Sequence, residues 1–202
     1  MYHSIEDGNR ASGNRKGYLK WVDLFALMKR FTDPAVHQIQ AVKFFTAYPT
    51  WNPDRLGRHQ NYVAALEHAG VTVIKGKFKT KDCFCKNCRT TYQGREEKES
   101  DVNIAMHLIN DAHCGLFDQA FLVTNDSDLL GPVRMLVSAI PNKKIKIIAP
   151  PFRHHSKALW AAANLRASIT ESHLETCFLP RQALDAAGNT IFNRPSEYDP
   201  PT

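Results

Sequence analysis

Ala120-Phe121-Leu122-Val123-Thr124, followed at once by Asn125-Asp126-Ser127-Asp128, decides how this chain is read. The apolar run is short, continuous and rich in branched and aromatic residues, which is the signature of a strand buried on both faces in a parallel sheet. Two aspartates directly after such a strand sit on the sheet edge where open α/β folds bind ligands. About twenty residues earlier a second acidic run, Glu96-Glu97-Lys98-Glu99-Ser100-Asp101, leads into the helical pattern Val102-Asn103-Ile104-Ala105-Met106. Asp101 therefore opens the helix that precedes the strand, and it can reach the same edge. Asp101, Asp126 and Asp128 together would form a hard, oxygen-rich site suited to Mg²⁺ or Mn²⁺. Helix capping competes as an explanation, because Asn, Asp and Ser are favoured N-caps and a first-turn carboxylate complements the helix dipole.

Periodicity extends this unit in both directions. Trp21, Leu24, Phe25 and Met28 predict an amphipathic helix over roughly 18–31, after a flexible Gly/Asn/Ser/Arg loop at 6–17. Val36 to Tyr48 reads as a strand, 54–69 as a helix stopped by Gly70, and Val71-Thr72-Val73-Ile74 as the next strand. The segment 82–95 reads as irregular. A helix is expected at 100–114 with Ser100 at its N-cap, then a strand at 118–124, a helix at 128–139 and a strand at 144–149. A helix at 155–164, a short strand near Ser168-Ile169 and a helix at 171–177 complete the regular elements. Alternation of this kind implies an α/β fold, a mainly parallel sheet flanked by helices on both faces. One domain is expected over 1–178, with 75–98 a basic, cysteine-containing insertion and 179–202 a wrapping tail.

Composition narrows the setting. The 202 residues carry a net charge of +6 and 43% hydrophobic residues, ordinary for a folded domain. No apolar stretch is long enough to span a bilayer. Met1-Tyr2-His3-Ser4-Ile5-Glu6-Asp7 lacks the basic start and apolar core of a secretory signal, and five cysteines suit a reducing compartment. A cytoplasmic protein is expected, with no membrane partner and with homo-oligomerisation left open. Between Lys75 and Lys98 there are eight Lys or Arg against three Asp or Glu. Lys75, Lys77, Lys79 and Lys81 alternate, so an extended chain presents them on one face. Such a ridge suits a polyanion gripped beside a metal, and it equally suits an edge strand kept from aggregating by lysines.

Cys83, Cys85 and Cys88 give C-x-C-x₂-C inside the basic insertion. They read either as part of a structural Zn²⁺ site, with His107, His113 or Cys114 as candidate fourth ligand, or as three reduced thiols. Trp51, Phe84 and Tyr92 are candidates for stacking on bases, and Thr124 and Asn125 for positioning. His154-His155, beside Arg153 and Lys157, reads as a phosphate contact or a polar surface feature. No GxSxG, Walker A or GxGxxG pattern occurs, which disfavours triad, P-loop and dinucleotide chemistry.

Glu96-Glu97-Lys98, Asp101-Val102-Asn103-Ile104-Ala105 and Leu122-Val123-Thr124-Asn125-Asp126-Ser127-Asp128 resemble the NYN domain. Leu179-Pro180, with Gly188 and Pro195, resembles its LabA-type branch. The resemblance implies a PIN-like, Rossmannoid fold and a divalent-metal-dependent ribonuclease hydrolysing RNA phosphodiesters. It also implies that Asp101, Asp126 and Asp128 are catalytic metal ligands, with Lys98 and the lysine ridge on RNA. The family's first strand ordinarily ends in an Asp-Gly-x-Asn-Leu-Tyr type of sequence whose Asp joins the metal cluster. This chain starts just past that point, so a start codon placed too late is expected. The alternative is a catalytically silent RNA-binding or scaffold module lacking that aspartate. A phosphotransfer enzyme using Asp-x-Asp on a nucleotide is a third reading, weakened by the lack of a nucleotide-cradling loop.

Overall fold

In the computed structural model, which describes residues 1–201, β1 (Val42–Thr46) and β2 (Val71–Lys75) pair in parallel, Val42 opposite Val71. The crossover between them is α3 (Pro53–His68), started by Asn52, whose side chain accepts from the Arg55 amide at 3.0 Å, with Pro53 in its first turn. It ends at Gly70, whose φ of +88° is a left-handed exit that glycine adopts without strain. The hairpin β3 (Lys77–Phe84) and β4 (Thr91–Lys98) follows, antiparallel, with Lys77 opposite Lys98. It feeds into α4 (Ser100–His113).

The second half of the chain is a run of βαβ units. β5 (Gln119–Val123), β6 (Lys144–Ala149) and β7 (Leu165–Ser168) form a parallel sheet, linked by α5 (Leu130–Ala139) and α6 (Lys157–Ala162). Pro132 falls in the first turn of α5, where its missing amide costs nothing. α7 (Glu171–Glu175) precedes a hairpin of β8 (Gln182–Leu184) and β9 (Thr190–Asn193).

The parallel strands fall into two sheets, β1–β2 and β5–β6–β7, with no hydrogen-bonded pairing between β1 and β5. Both sheets nonetheless pack into the first of two cores, while the second is built on β5 and β6. On one face Val42, Phe44, Phe121, Val123 and Ile148 pack with Leu19, Trp21, Leu27 and Leu66. On the other, Leu108 and Ala112 of α4 pack with Val133, Leu136, Ile145, Ile147 and Leu159. α4 also touches β1 directly: Lys43 Nζ lies 2.5 Å from Asp111 Oδ2, and Phe45 packs on His107 at 5.5 Å between ring centroids. Helices on both faces of parallel sheets are what the alternation of elements implied.

Several local expectations change. Residues 6–17 are not all loop: Tyr2–Ala11 form α1, with Ile5 in the first core. Its polar composition hid it. Gly8 is needed there because a Cβ would stand 2.5 Å from the Phe152 ring. The helix expected at 18–31 is instead a 3-10 turn at Gly17–Lys20 followed by α2 (Leu24–Lys29), capped by Asp23. Only Val42–Thr46 of the 36–48 segment is strand. The segment 82–95 is largely β-hairpin, because Asp82, Cys83 and Phe84 continue the ladder opposite Gln93, Tyr92 and Thr91. The 179–202 segment supplies core as well as surface. Phe192 and Leu179 are buried, and the Trp21 indole donates to Pro180 O at 3.2 Å.

Asp111→Ala leaves the half-buried Lys43 ammonium without its carboxylate between α4 and β1. We expect a loss of about 1–3 kcal/mol in urea unfolding; an unchanged midpoint would show that this pair does not hold the helix to the sheet.

Candidate active site

β5 delivers its C-terminal residues to a tightly hydrogen-bonded turn. The Thr124 hydroxyl accepts from the Asp126 amide at 2.9 Å, and Asp126 Oδ1 accepts from the Asp128 amide at 3.1 Å. That second bond caps the 3-10 turn Ser127–Leu129, and the buried Leu129 anchors it. Asn125 turns the other way: its Nδ2 donates to His154 O at 2.6 Å and its Oδ1 accepts from the Ser156 amide at 3.2 Å. Asn125 thus ties the loop after β6 to the end of β5. Thr124 and Asn125 have structural partners, while the exposed Asp126 and Asp128 lie on a fixed turn.

Asp101 stands in the first turn of α4. The residue before the helix is Glu99, in a left-handed conformation with φ 77°, and it makes no side-chain cap. Ser100 is therefore inside the helix rather than its N-cap, and its hydroxyl bonds to the Glu97 carboxylate. Partial burial pushes the Asp101 carboxyl above the ordinary aspartate range, and the charges of Asp126, Asp128 and Glu97 push it further. Acidic groups from β4, α4 and the turn after β5 therefore repel one another at one end of the fold. Glu97 is a fourth carboxylate here that the motif did not single out, although it lies in the same acidic run.

Three carboxylates offer only hard oxygen donors, and their mutual repulsion is what a divalent cation relieves, so the donor set suits Mg²⁺ or Mn²⁺. The side chains do not close into a cage. Among the described residues no group of three or more His, Cys, Asp or Glu is arranged to hold a metal ion. This applies equally to Cys83, Cys85 and Cys88, which do not form such a group as a trio or with a histidine. His107 is occupied with Phe45 and Lys43, and His113 and Cys114 end α4, about 20 Å along the helix axis from Asp101.

The hairpin rises from this same end. Gly76, before β3, fits against the end of β4 so closely that a Cβ would lie 2.7 Å from Lys98 O. Lys77, Lys79 and Lys81 share one face of the hairpin with Lys98 and Glu96 of β4. The ridge is partly neutralised: Lys77 pairs with Glu99, and Glu96 holds Lys98 at 2.7 Å and Lys81 at 3.7 Å. Lys75, on β2, lies 5.1 Å from the Tyr48 ring centroid. Among the described residues, Lys79 has no carboxylate partner. On the opposite hairpin face Trp51 packs edge-on against Phe78 at 4.7 Å, with the Arg95 guanidinium over its ring at 4.9 Å. Phe84 and Tyr92 are exposed near the hairpin tip, and His155 stacks on Trp160. His59 was not flagged by any sequence pattern. It lies 2.8 Å from Thr46 Oγ1 at the end of β1, its pKa lowered by burial and partly restored by the charge of Glu97.

Comparison with known proteins places the chain. The family model described as the NYN domain matches residues 6–169. The chain is similar to 6-hydroxy-3-succinoylpyridine 3-monooxygenase HspA of Pseudomonas putida at 28% identity, with 80% of this chain and 64% of that protein covered. It thus spans less than two thirds of that relative. A crystal structure from Burkholderia pseudomallei, described as pilus assembly-related, covers 68% of this chain and 83% of its own at 10% identity. Its TM-score of 0.29 is too low to bear on the fold.

The raised carboxyl fixes the sign of a stability effect. The folded protein holds the Asp101 proton to higher pH than the unfolded chain does, so stability falls as pH rises through the folded pKa. Below the ordinary aspartate range both states are protonated and the penalty is gone. Asp101→Asn should therefore raise the melting temperature at neutral pH by no more than about 2–4 °C, because solvent screens the partly exposed group. The gain should shrink toward about pH 4 and below. A melting temperature lowered at neutral pH would contradict the repulsion.

Proposed function

The chain belongs to the NYN domain family, with a PIN-like nuclease fold, and from that premise we propose that it is a Mg²⁺- or Mn²⁺-dependent ribonuclease of the LabA-type branch. The observation that carries this reading is the placement of Asp101, Asp126 and Asp128, brought from two separate elements to the C-terminal strand edge, where the charges of the latter two add to burial in raising the Asp101 carboxyl. These three would hold the ion, with Glu97 beside them. When bound, a hard divalent ion supplies Lewis-acid chemistry at a phosphodiester. The chain's own contribution is positional. The capped turn fixes Asp126 and Asp128, and the first turn of α4 fixes Asp101. The hairpin presents Lys79, Lys81 and Lys98 to a phosphate backbone leaving the acidic edge. Trp51, backed by Phe78 and Arg95, offers an aromatic surface on which an unpaired base can stack. Single-stranded RNA fits both surfaces.

A second reading has its own support. The carboxylates do not close into a cage, and β1 and β5 are unpaired where the sheet is interrupted. Both features suit an RNA-binding module that does not cleave. The monooxygenase activity named for the Pseudomonas relative stays with that protein. No helix among the described residues is long and apolar enough to cross a membrane.

One assay separates the two readings. With Mn²⁺ the chain should cleave single-stranded RNA, chelator should abolish cleavage, and Asp126→Asn should lower the rate by about 100-fold or more. Cleavage that persists undiminished in the variant, or that ignores chelator, would refute the nuclease. Salt-sensitive RNA binding without cleavage would establish the silent module. In either case Lys79→Gln should flatten the dependence of log affinity on log salt by about one unit or less, and an unchanged slope would remove the hairpin from the RNA path.

A further inference from the structure

The tip of the β3–β4 hairpin is closed by a reciprocal pair of backbone hydrogen bonds. The Cys85 amide donates to Thr90 O at 2.9 Å, and the Arg89 amide donates back to Cys85 O at 2.8 Å. Arg89 takes a left-handed conformation, φ 55°, to close this turn. An L-residue with a long side chain adopts that conformation at some cost, so the turn is held by its own bonds. It brings Cys85 and Cys88 into one turn, with the Cys88 Sγ 2.9 Å from Thr90 Oγ1. As thiolates, the two sulfurs are ligands of the soft kind that Zn²⁺ favours.

Cys83 does not belong to this pair. Its sulfur lies over Gly94, where a Cβ would come within 2.5 Å of it, and it contacts Lys81 O at 3.7 Å, back along the strand. The tip therefore offers two sulfur ligands and no third, and none of the candidate histidines of α4 approaches it. Two thiols alone make a weak site, because Zn²⁺ takes four ligands in tetrahedral array. A two-fold pair of identical tips supplies exactly the missing two. Two further features suit such a pairing. Phe84 and Tyr92 flank the tip at 63% and 56% exposure, apolar surface without a partner in the monomer. Lys86 and Arg89 sit in the turn itself, and four such cations from two tips would offset the double negative charge of a zinc tetrathiolate.

We propose that the hairpin tip is a zinc half-site, and that two copies of the chain share one Zn²⁺ through Cys85 and Cys88 of each. Binding converts four thiols to thiolates as four Zn–S bonds form; protons from any thiol not already ionised pass to solvent, and no oxidant or reductant is consumed. The site lies away from the acidic edge and does not depend on the ribonuclease reading.

The test is a titration of the reduced full-length chain with Co²⁺, followed by displacement with Zn²⁺. Thiolate-to-cobalt absorption reports sulfur ligands alone, so cation bound at the carboxylates does not contribute. The signal should saturate at one metal per two chains, and sedimentation should show a dimer that chelator returns to monomer. Cys85→Ser and Cys88→Ser should abolish both the absorption and the dimer while leaving the circular dichroism unchanged, and Cys83→Ser should keep both. Saturation at one metal per chain, absence of sulfur-ligated cobalt, or loss of binding in Cys83→Ser would each overturn the proposal.

Discussion

The docking of α4 sets the geometry on which the candidate site depends. The parallel strands come in two sheets that exchange no hydrogen bonds between β1 and β5, so backbone pairing alone does not fix one against the other. α4 does, through two different kinds of contact. Lys43 and Phe45 of β1 meet Asp111 and His107 on the helix, and Leu108 and Ala112 enter the core shared with β6, α5 and α6. The first core completes the connection from the opposite face, where Phe44 and Val42 pack together with Phe121 and Val123. Burial of apolar side chains from both sheets against common neighbours is non-directional, so it can hold strands in one layer without a ladder between them.

The position of Asp101 follows from that docking. It belongs to the first turn of the helix, while Asp126 and Asp128 belong to the turn that leaves β5. Each element could satisfy its own local chemistry with fewer charges, since one carboxylate suffices for a cap. The extra charge raises the Asp101 pKa and opposes folding at neutral pH. Strained or repelling groups that persist in a fold cluster at functional sites. Here they also lie beside a hairpin with lysines along one face. Yet three of the four lysines on that face already have carboxylate partners, so the surface is less basic than the composition of 75–98 suggests.

The parallel elements were legible because their patterns are strong. β6 spans Lys144–Ala149 as its alternating and then continuous apolar run implies, and the β5–turn–α5 unit lies where Phe121, Asp126 and Pro132 put it. What escaped was set by distant contacts. α1 is helical although its second half contains Gly8 and three polar or charged residues, because Ile5 finds a core and Phe152 requires a glycine. The hairpin escaped because its strands carry few apolar residues, and cross-strand pairing of Lys79 with Glu96 has no signature in either strand alone. For the site, the aspartates were visible in the order of the motifs. Glu97 and His59 were not, since their roles arise from where β4 ends relative to α4 and from how α3 lies against the end of β1. The spacing of the cysteines suggested a trio; the turn geometry separates Cys83 from the pair at the tip.

The account turns on whether carboxylates far apart in sequence feel one another across the end of the sheet. The most direct measurement is an NMR titration of the Asp101 side-chain carboxyl carbon in the wild-type chain and in Asp126→Asn. We predict a pKa above the ordinary aspartate range that drops measurably once the Asp126 charge is removed. A wild-type Asp101 that titrates in the ordinary range, or a raised value indifferent to Asp126→Asn, would contradict the convergence from which the functional reading is built.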